Sequence, residues 1–364
     1  MATESGAAPA ADAPSEPARP AVDWELASRR ARQLTRPGPA VPPAEARDFV
    51  AELRESAKAA PAHVGAVTGL LEPALRAGAG PVYVLDRPRW VDANLTMFRS
   101  LIGDVLPAPT TPWGPQATGV ELAAVLAVLS SRVLGQYDPY TTTSAGTGRL
   151  VLVAPTILNI QTELGLRRRD FGLWVCLHEQ THALQFAAAP WLADHLRTTM
   201  RELLGTLAET GDGADRLEQL VRALPRVLRG ERSDASSSSS LLDAVLSEPE
   251  RDLMAEAMAA MSLLEGHADV VMDEVGPQVV PTVRKIRRAF ERRRSGTSPM
   301  DVLVRRLLGL DAKLAQYRNG AKFVRSVVEQ VGHEGFNAVW ADADHLPRAA
   351  ELADPHAWVR RVHS

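Results

Sequence analysis

The stretch WVCLHEQTHALQF, Trp174 to Phe186, decides how the rest of the chain is read. It places two histidines four residues apart, with a glutamate directly after the first. At 3.6 residues per turn, His178 and His182 project from the same face of one helix, spaced so that both imidazoles reach one tetrahedral metal. Glu179 sits about 100° around the axis, where its carboxylate leans over the open side of such a metal. Cys176 lies about 200° around the helix from His178 and is expected to pack in the core. Two histidines leave the coordination incomplete, so a further ligand has to come from elsewhere in the chain.

A second pair lies in MSLLEGHADVVMDEVG, where Glu265 and Asp269 are again four apart and share a helix face in the pattern E-x-x-x-D. Their neighbours on that face, Met258, Met261, Ser262 and Met272, are largely apolar. Carboxylates on an apolar, buried face need a partner, and a cation is the natural one. His267 is chemically able to ligate, but it lies about 200° from Glu265, so those two do not face one ion. The helix has signals at both ends: Ser247 as N-cap, Pro249 and acidic residues in its first turns, and Gly276-Pro277 as its stop.

The remaining chain reads as mostly helical. With 364 residues, 45% of them apolar, and a formal charge of −3, it has enough to bury a large core. The Ala/Pro/Glu-rich first 22 residues have almost nothing to bury and are expected to be disordered, with order beginning near Trp24 in one domain over residues 23–364. Helices are expected in AEARDFVAELRESAKAA, starting near Pro43, and in GVELAAVLAVLSSRVLG. Val82–Leu85 and Leu150–Val153 read as short strands, and Gly146-Thr147-Gly148 as a turn. The Ser-rich tract at about 230–241 reads as a mobile surface loop. The basic run VRKIRRAFERRR reads as a solvated helix face with Ile286 and Phe290 buried, and near-neutral net charge gives no reason to expect nucleic acid.

No apolar run is long enough to span a membrane, and the N-terminus lacks the basic and apolar regions of a signal peptide, so the expected location is cytoplasmic. The single cysteine excludes an internal disulfide framework. Composition leaves the oligomeric state open.

From about Trp90 onward the chain resembles a family of actinobacterial zincin-like proteins labelled as zinc-dependent metalloproteases, or as associated with deazaflavin-coenzyme biosynthesis. The resemblance runs through LGQYDPY, LVLVAP, FGLWVCLHEQTHALQF with PWL, MSLLEGHADVVMDEVGP, LDAKLAQYRNGAKFV and PHAWVRRV. It implies a mainly α fold with a small β element, of gluzincin type, holding one Zn²⁺ per chain. His178, His182 and Glu265 map onto the metal ligands and Glu179 onto the catalytic glutamate. In gluzincins the aspartate at the position of Asp269 accepts a hydrogen bond from the far nitrogen of a ligating histidine. The long spacing from His182 to Glu265 departs from thermolysin-like enzymes, so the intervening helices and serine tract must fold outside the site or cover it.

The function implied is metal-assisted hydrolysis of an amide in a peptide or protein substrate. Zinc lowers the pKa of a water toward about 7, and Glu179 takes its proton and passes it to the leaving amine. Tyr317 and Tyr137 are candidate donors for the oxyanion, of which Tyr317 is the one we name. Trp174 and Phe186 either wall the site or pack in the core. The alternative function is a catalytically silent scaffold of the same fold that binds metal or a partner protein, which has no physical need for Glu179.

Overall fold

Leu150 to Val153 is apolar at every position, and its place in the molecule explains why. In this computed structural model, which describes residues 20–103, 105–106, 111–141, 148–209, 247–295 and 320–364, the strand is the centre of a three-stranded sheet. In chain order the described elements are α1 (Trp24–Leu34), α2 (Pro43–Thr68), α3 (Leu71–Gly78), β1 (Val82–Leu85), α4 (Arg87–Ile102), α5 (Gly114–Leu129), β2 (Gly135–Asp138), β3 (Arg149–Val153), α6 (Ala154–Glu163), α7 (Arg168–Ala188), α8 (Leu192–Glu209), α9 (Glu248–Glu274), a one-turn α10 (Gly276–Val279), α11 (Val283–Ser295), α12 (Gly320–Phe336) and α13 (Pro355–His363). Two 3₁₀ turns, Asn337–Trp340 and Ala343–His345, join α12 to the C-terminal region.

The sheet runs β1-β3-β2. β1 pairs parallel with β3, Val82 opposite Leu150, and β2 pairs antiparallel, Gly135 opposite Leu152. Successive side chains of a strand point to opposite faces. Leu150 and Leu152 accordingly enter a core with α2 and α7, while Val151 and Val153 enter a second core with α1, α4 and α5. A strand covered on both faces needs an unbroken apolar run.

Helix ends follow local chemistry. Asp23 caps α1 by accepting from the Leu26 N–H at 2.8 Å, and Asp86 caps α4 through the Arg89 N–H at 2.9 Å. At the start of α9 the Glu250 carboxylate reaches back to the Ser247 N–H, and the helix stops before Gly276, whose φ of 73° suits glycine. The expected strands, the Ser247 start and the Gly276 stop all stand where the sequence put them. The basic helix α11 buries Ile286 and packs Phe290 against the rings of Phe171 and Trp174. The residues of the N-terminal tail up to 19, the serine tract and Tyr317 lie outside the described residues.

Two helices carry the candidate site. α7 runs through the first core and is buried almost all round: Phe171, Trp174, Val175, Cys176, Leu177 and Leu184 supply its apolar surface. Its polar residues therefore have to find partners inside the protein. α9 crosses it, with Val271 and Met272 in the first core and Leu263, Leu264 and Val270 in another that α12 and α13 complete. α9 and α12 meet backbone to backbone, since a Cβ on Gly266 would fall 2.2 Å from the Gly320 carbonyl carbon. A side chain there would push apart the helix turn that bears Glu265.

Candidate metal centre

His178 and His182 stand one turn apart on α7 with their rings nearly perpendicular, 88° between planes, and their Nε2 atoms 3.2 Å apart. Glu265, from α9, closes the group: one carboxylate oxygen lies 3.6 Å from His178 Nε2 and the other 3.6 Å from His182 Nε2. Bonds of about 2.0–2.1 Å to a tetrahedral zinc place its ligand atoms about 3.3–3.4 Å apart. The histidine pair is near that separation, and each imidazole has a different Glu265 oxygen a few tenths of an ångström beyond it, so the donor set suits the ion once the carboxylate turns toward it; among the described residues this is the group able to hold one.

The far ring nitrogens are also engaged. His182 Nδ1 is 2.9 Å from Gln185 Oε1, and His178 Nδ1 is 3.2 Å from Met272 Sδ. Asp269, expected to hold a ligating histidine, is instead bonded to a cation: its Oδ1 accepts from Arg287 Nη1 at 2.9 Å, and its backbone carbonyl accepts from Arg287 Nη2. Arg287 and Arg325 also flank Asp273, making an ion-pair ladder along α9 one and two turns beyond Glu265. Nor does Glu265 lie on the buried face that its apolar neighbours led us to expect. The Glu265 side chain is 58% exposed, so its association with the histidines rests on proximity and not on a buried face.

Glu179 is the buried carboxylate of the site. Only 6% of it is exposed, and loss of solvent, reinforced by the negative charge of Glu265, holds its pKa well above the usual carboxylate range. β2 presses on it: a Cβ at Gly135 would fall 2.5 Å from Glu179 Cγ and 2.8 Å from Oε1. Two residues on, Tyr137 packs its ring on Phe186, centroids 5.6 Å apart, and burial holds its hydroxyl pKa above the usual value. Trp174 belongs to the core with Phe171 and Phe290, and Cys176 is buried beneath α2, where loss of solvent pushes its thiol pKa up. His267 points away from Glu265 into rings of Phe336 and Trp340, and complete burial lowers its pKa to about 3.

The geometry brings two sequence signals together in one candidate donor set, and a family model for zincin-like metallopeptidases matches residues 22–359. The chain belongs to that family. A zincin-like metallopeptidase implies a metal, typically zinc, and hydrolase chemistry. This zincin-like chain is similar to a Chloroflexus aurantiacus protein whose crystal structure is described as that of a candidate hydrolase with a novel fold. The identity is 30%, the TM-score 0.65, and the match covers 94% of this chain and 99% of that one. No curated protein matches. Among the described residues no helix is long and apolar enough to cross a membrane.

Three residues of the zincin-like site escaped the sequence reading. Gln185 had a usable signal, since it lies three residues after His182 and therefore on the same helix face. Met272 was noted only as an apolar neighbour. Gly135 carried no signal, because its role depends on how the sheet lies over α7.

Proposed function

We propose that this zincin-like protein is a zinc-dependent peptidase, holding one zinc per chain through His178, His182 and Glu265, with Glu179 as general base in amide hydrolysis. The observation that carries the reading is the meeting of three ligand atoms, within 4.8 Å of one another, beside a buried carboxylate on the next residue of the same helix. When bound, zinc supplies Lewis acidity, which acidifies a water and polarises a carbonyl. Glu179 accepts the proton of the attacking water and passes it to the leaving amine. Burial favours proton uptake at Glu179, and the cation's positive charge opposes that shift and keeps the group able to give the proton up again.

A peptide is the substrate class best suited to the surroundings. Among the described residues β2 is an edge strand, and it passes directly over Glu179 at Gly135. An extended peptide can add to such an edge through its main chain, which sets an amide rather than a side chain beside the base. The open position of Glu265 leaves the metal side accessible.

Glu179→Gln tests the reading. It removes the base and spares all three ligands, so the variant is expected to hold zinc as the wild type does and to lose nearly all cleavage of a peptide that the wild type cuts. Unchanged turnover removes Glu179 from the mechanism. A wild type that binds zinc yet cleaves nothing in a broad peptide library supports the scaffold alternative.

A further inference from the structure

The buried amide of Gln185 lies between the two helices that bring the ligands together. It is fully buried, and its nitrogen has two partners: the Leu264 carbonyl oxygen at 2.8 Å and His267 Nδ1 at 3.1 Å. Its oxygen faces His182 Nδ1 at 2.9 Å. A carbonyl oxygen only accepts, so the atom facing Leu264 has to be the NH₂ group, and this fixes which way round the amide sits. Gln185 Oε1 is then an acceptor, so His182 Nδ1 must carry a proton. The lone pair of His182 is left on Nε2, the nitrogen that faces His178 and Glu265. The second N–H of the amide is directed at His267 Nδ1, which must accept, so His267 is neutral with its proton on Nε2.

From this chain of donors and acceptors we propose that Gln185 is the positioning residue of the centre, holding His182 in the tautomer that binds a metal, with the Leu264 carbonyl and His267 as its anchors on α9. The inference rests on the zinc reading of the same site. It assigns the outer contact to a residue on the HEQTH helix itself, where Asp269 was expected and is bonded to Arg287. Leu264 immediately precedes Glu265, so the amide also ties the turn that carries the third ligand to the helix that carries the first two. Among the described residues His267 has no second polar partner: its Nε2 is buried without a hydrogen bond, in a ring packed against Phe336 and Trp340. Burying that unpaired N–H is a cost, and the bond from Gln185 to the other nitrogen offsets part of it.

Zinc affinity of the full-length protein, measured by competition with a chelator, is the first readout. Gln185→Met keeps the length of the side chain and removes both polar atoms; a loss of about 10–100-fold in affinity is expected, the usual effect of removing a contact to a ligating histidine. His267→Leu removes the acceptor and should weaken zinc in the same direction by less. His267→Asn returns an acceptor to the position of Nδ1 and should restore affinity to within about twofold of the wild type. A role confined to core packing predicts no such rescue.

The second readout is the imidazole ¹⁵N spectrum of the metal-free wild type, which needs neither a variant nor a bound ion. The expected spectrum has His182 protonated on Nδ1 and His267 on Nε2. His182 protonated on Nε2, or a Gln185→Met variant that folds and binds zinc as tightly as the wild type, overturns the inference. A wild type that takes up no zinc sinks the zinc reading, and the tautomers still decide whether the clamp exists. Should Gln185→Met fail to fold, the His267→Leu and His267→Asn pair decides between the clamp and simple packing: higher zinc affinity in His267→Asn supports the clamp, and equal affinities in the two overturn it.

Discussion

Replacing Gly135 by alanine tests the contact between β2 and Glu179 with a single methyl group. The new Cβ would lie 2.5 Å from Glu179 Cγ and 2.8 Å from both Cδ and Oε1, whereas ordinary contact begins near 3.4 Å. The carboxylate or the strand therefore has to give by about 1 Å, and a displacement of that size at a catalytic group costs about 10²-fold in rate. That corresponds to about 2.7 kcal/mol of transition-state stabilisation. Overpacking a buried contact also costs about 1–3 kcal/mol of stability. Gly135 is not among the glycines with positive φ, so alanine is allowed by the backbone and the substitution probes the contact alone. The assay is kcat/KM on a peptide that the wild type cleaves, with zinc content and thermal midpoint measured on the same sample. We expect full zinc content, a lowered midpoint and a fall of about 10²-fold in kcat/KM. Wild-type kcat/KM in Gly135→Ala would refute the placement of Glu179 against β2 as a requirement of catalysis.

Two other outcomes follow from named contacts. Burial lowers the His267 pKa to about 3, below the value near 6.5 of an unfolded histidine, so the native state holds this ring neutral. Its contribution is complete above about pH 6.5 and is lost as pH falls toward 3, at up to ~1.4 kcal/mol per pH unit. Urea unfolding of the metal-free protein between these limits should show that slope, and His267→Asn should flatten it; equal slopes would contradict the assignment. Asp269→Asn breaks a pair with Arg287 and not a contact to a ligand, so chelator competition should show zinc affinity within about threefold of the wild type, whereas Glu265→Ala should abolish tight binding. A loss of 10–100-fold in Asp269→Asn would restore Asp269 as the histidine's partner.

The parts of the fold legible in the sequence are those governed by local physics. Four-residue spacing put His178 with His182 on one face, and the caps at Ser247 and Gly276 bounded α9. An unbroken apolar run marked β3. β2 was not legible as a strand, because Gly135-Gln136-Tyr137-Asp138 has no run of strand-forming residues and owes its conformation to pairing with β3. α2 passes through Pro61, beyond the point where periodicity alone carried the helix. In the site, the long-range partners were the hidden part. Asp269 finds Arg287 from another helix, and nothing near either residue announces the pair. Gln185 stood inside the quoted motif, yet its significance depends on Leu264 and His267, which only the crossing of α7 and α9 brings within reach.

The central claim is that one zinc is held by His178, His182 and Glu265. Its most direct test is a crystal of the zinc-loaded protein with data collected on both sides of the zinc absorption edge. One anomalous peak per chain is expected, about 2.0–2.2 Å from the Nε2 atoms of His178 and His182 and from a Glu265 carboxylate oxygen. A zinc-loaded crystal with no peak there, or with its peak on other residues, would contradict it.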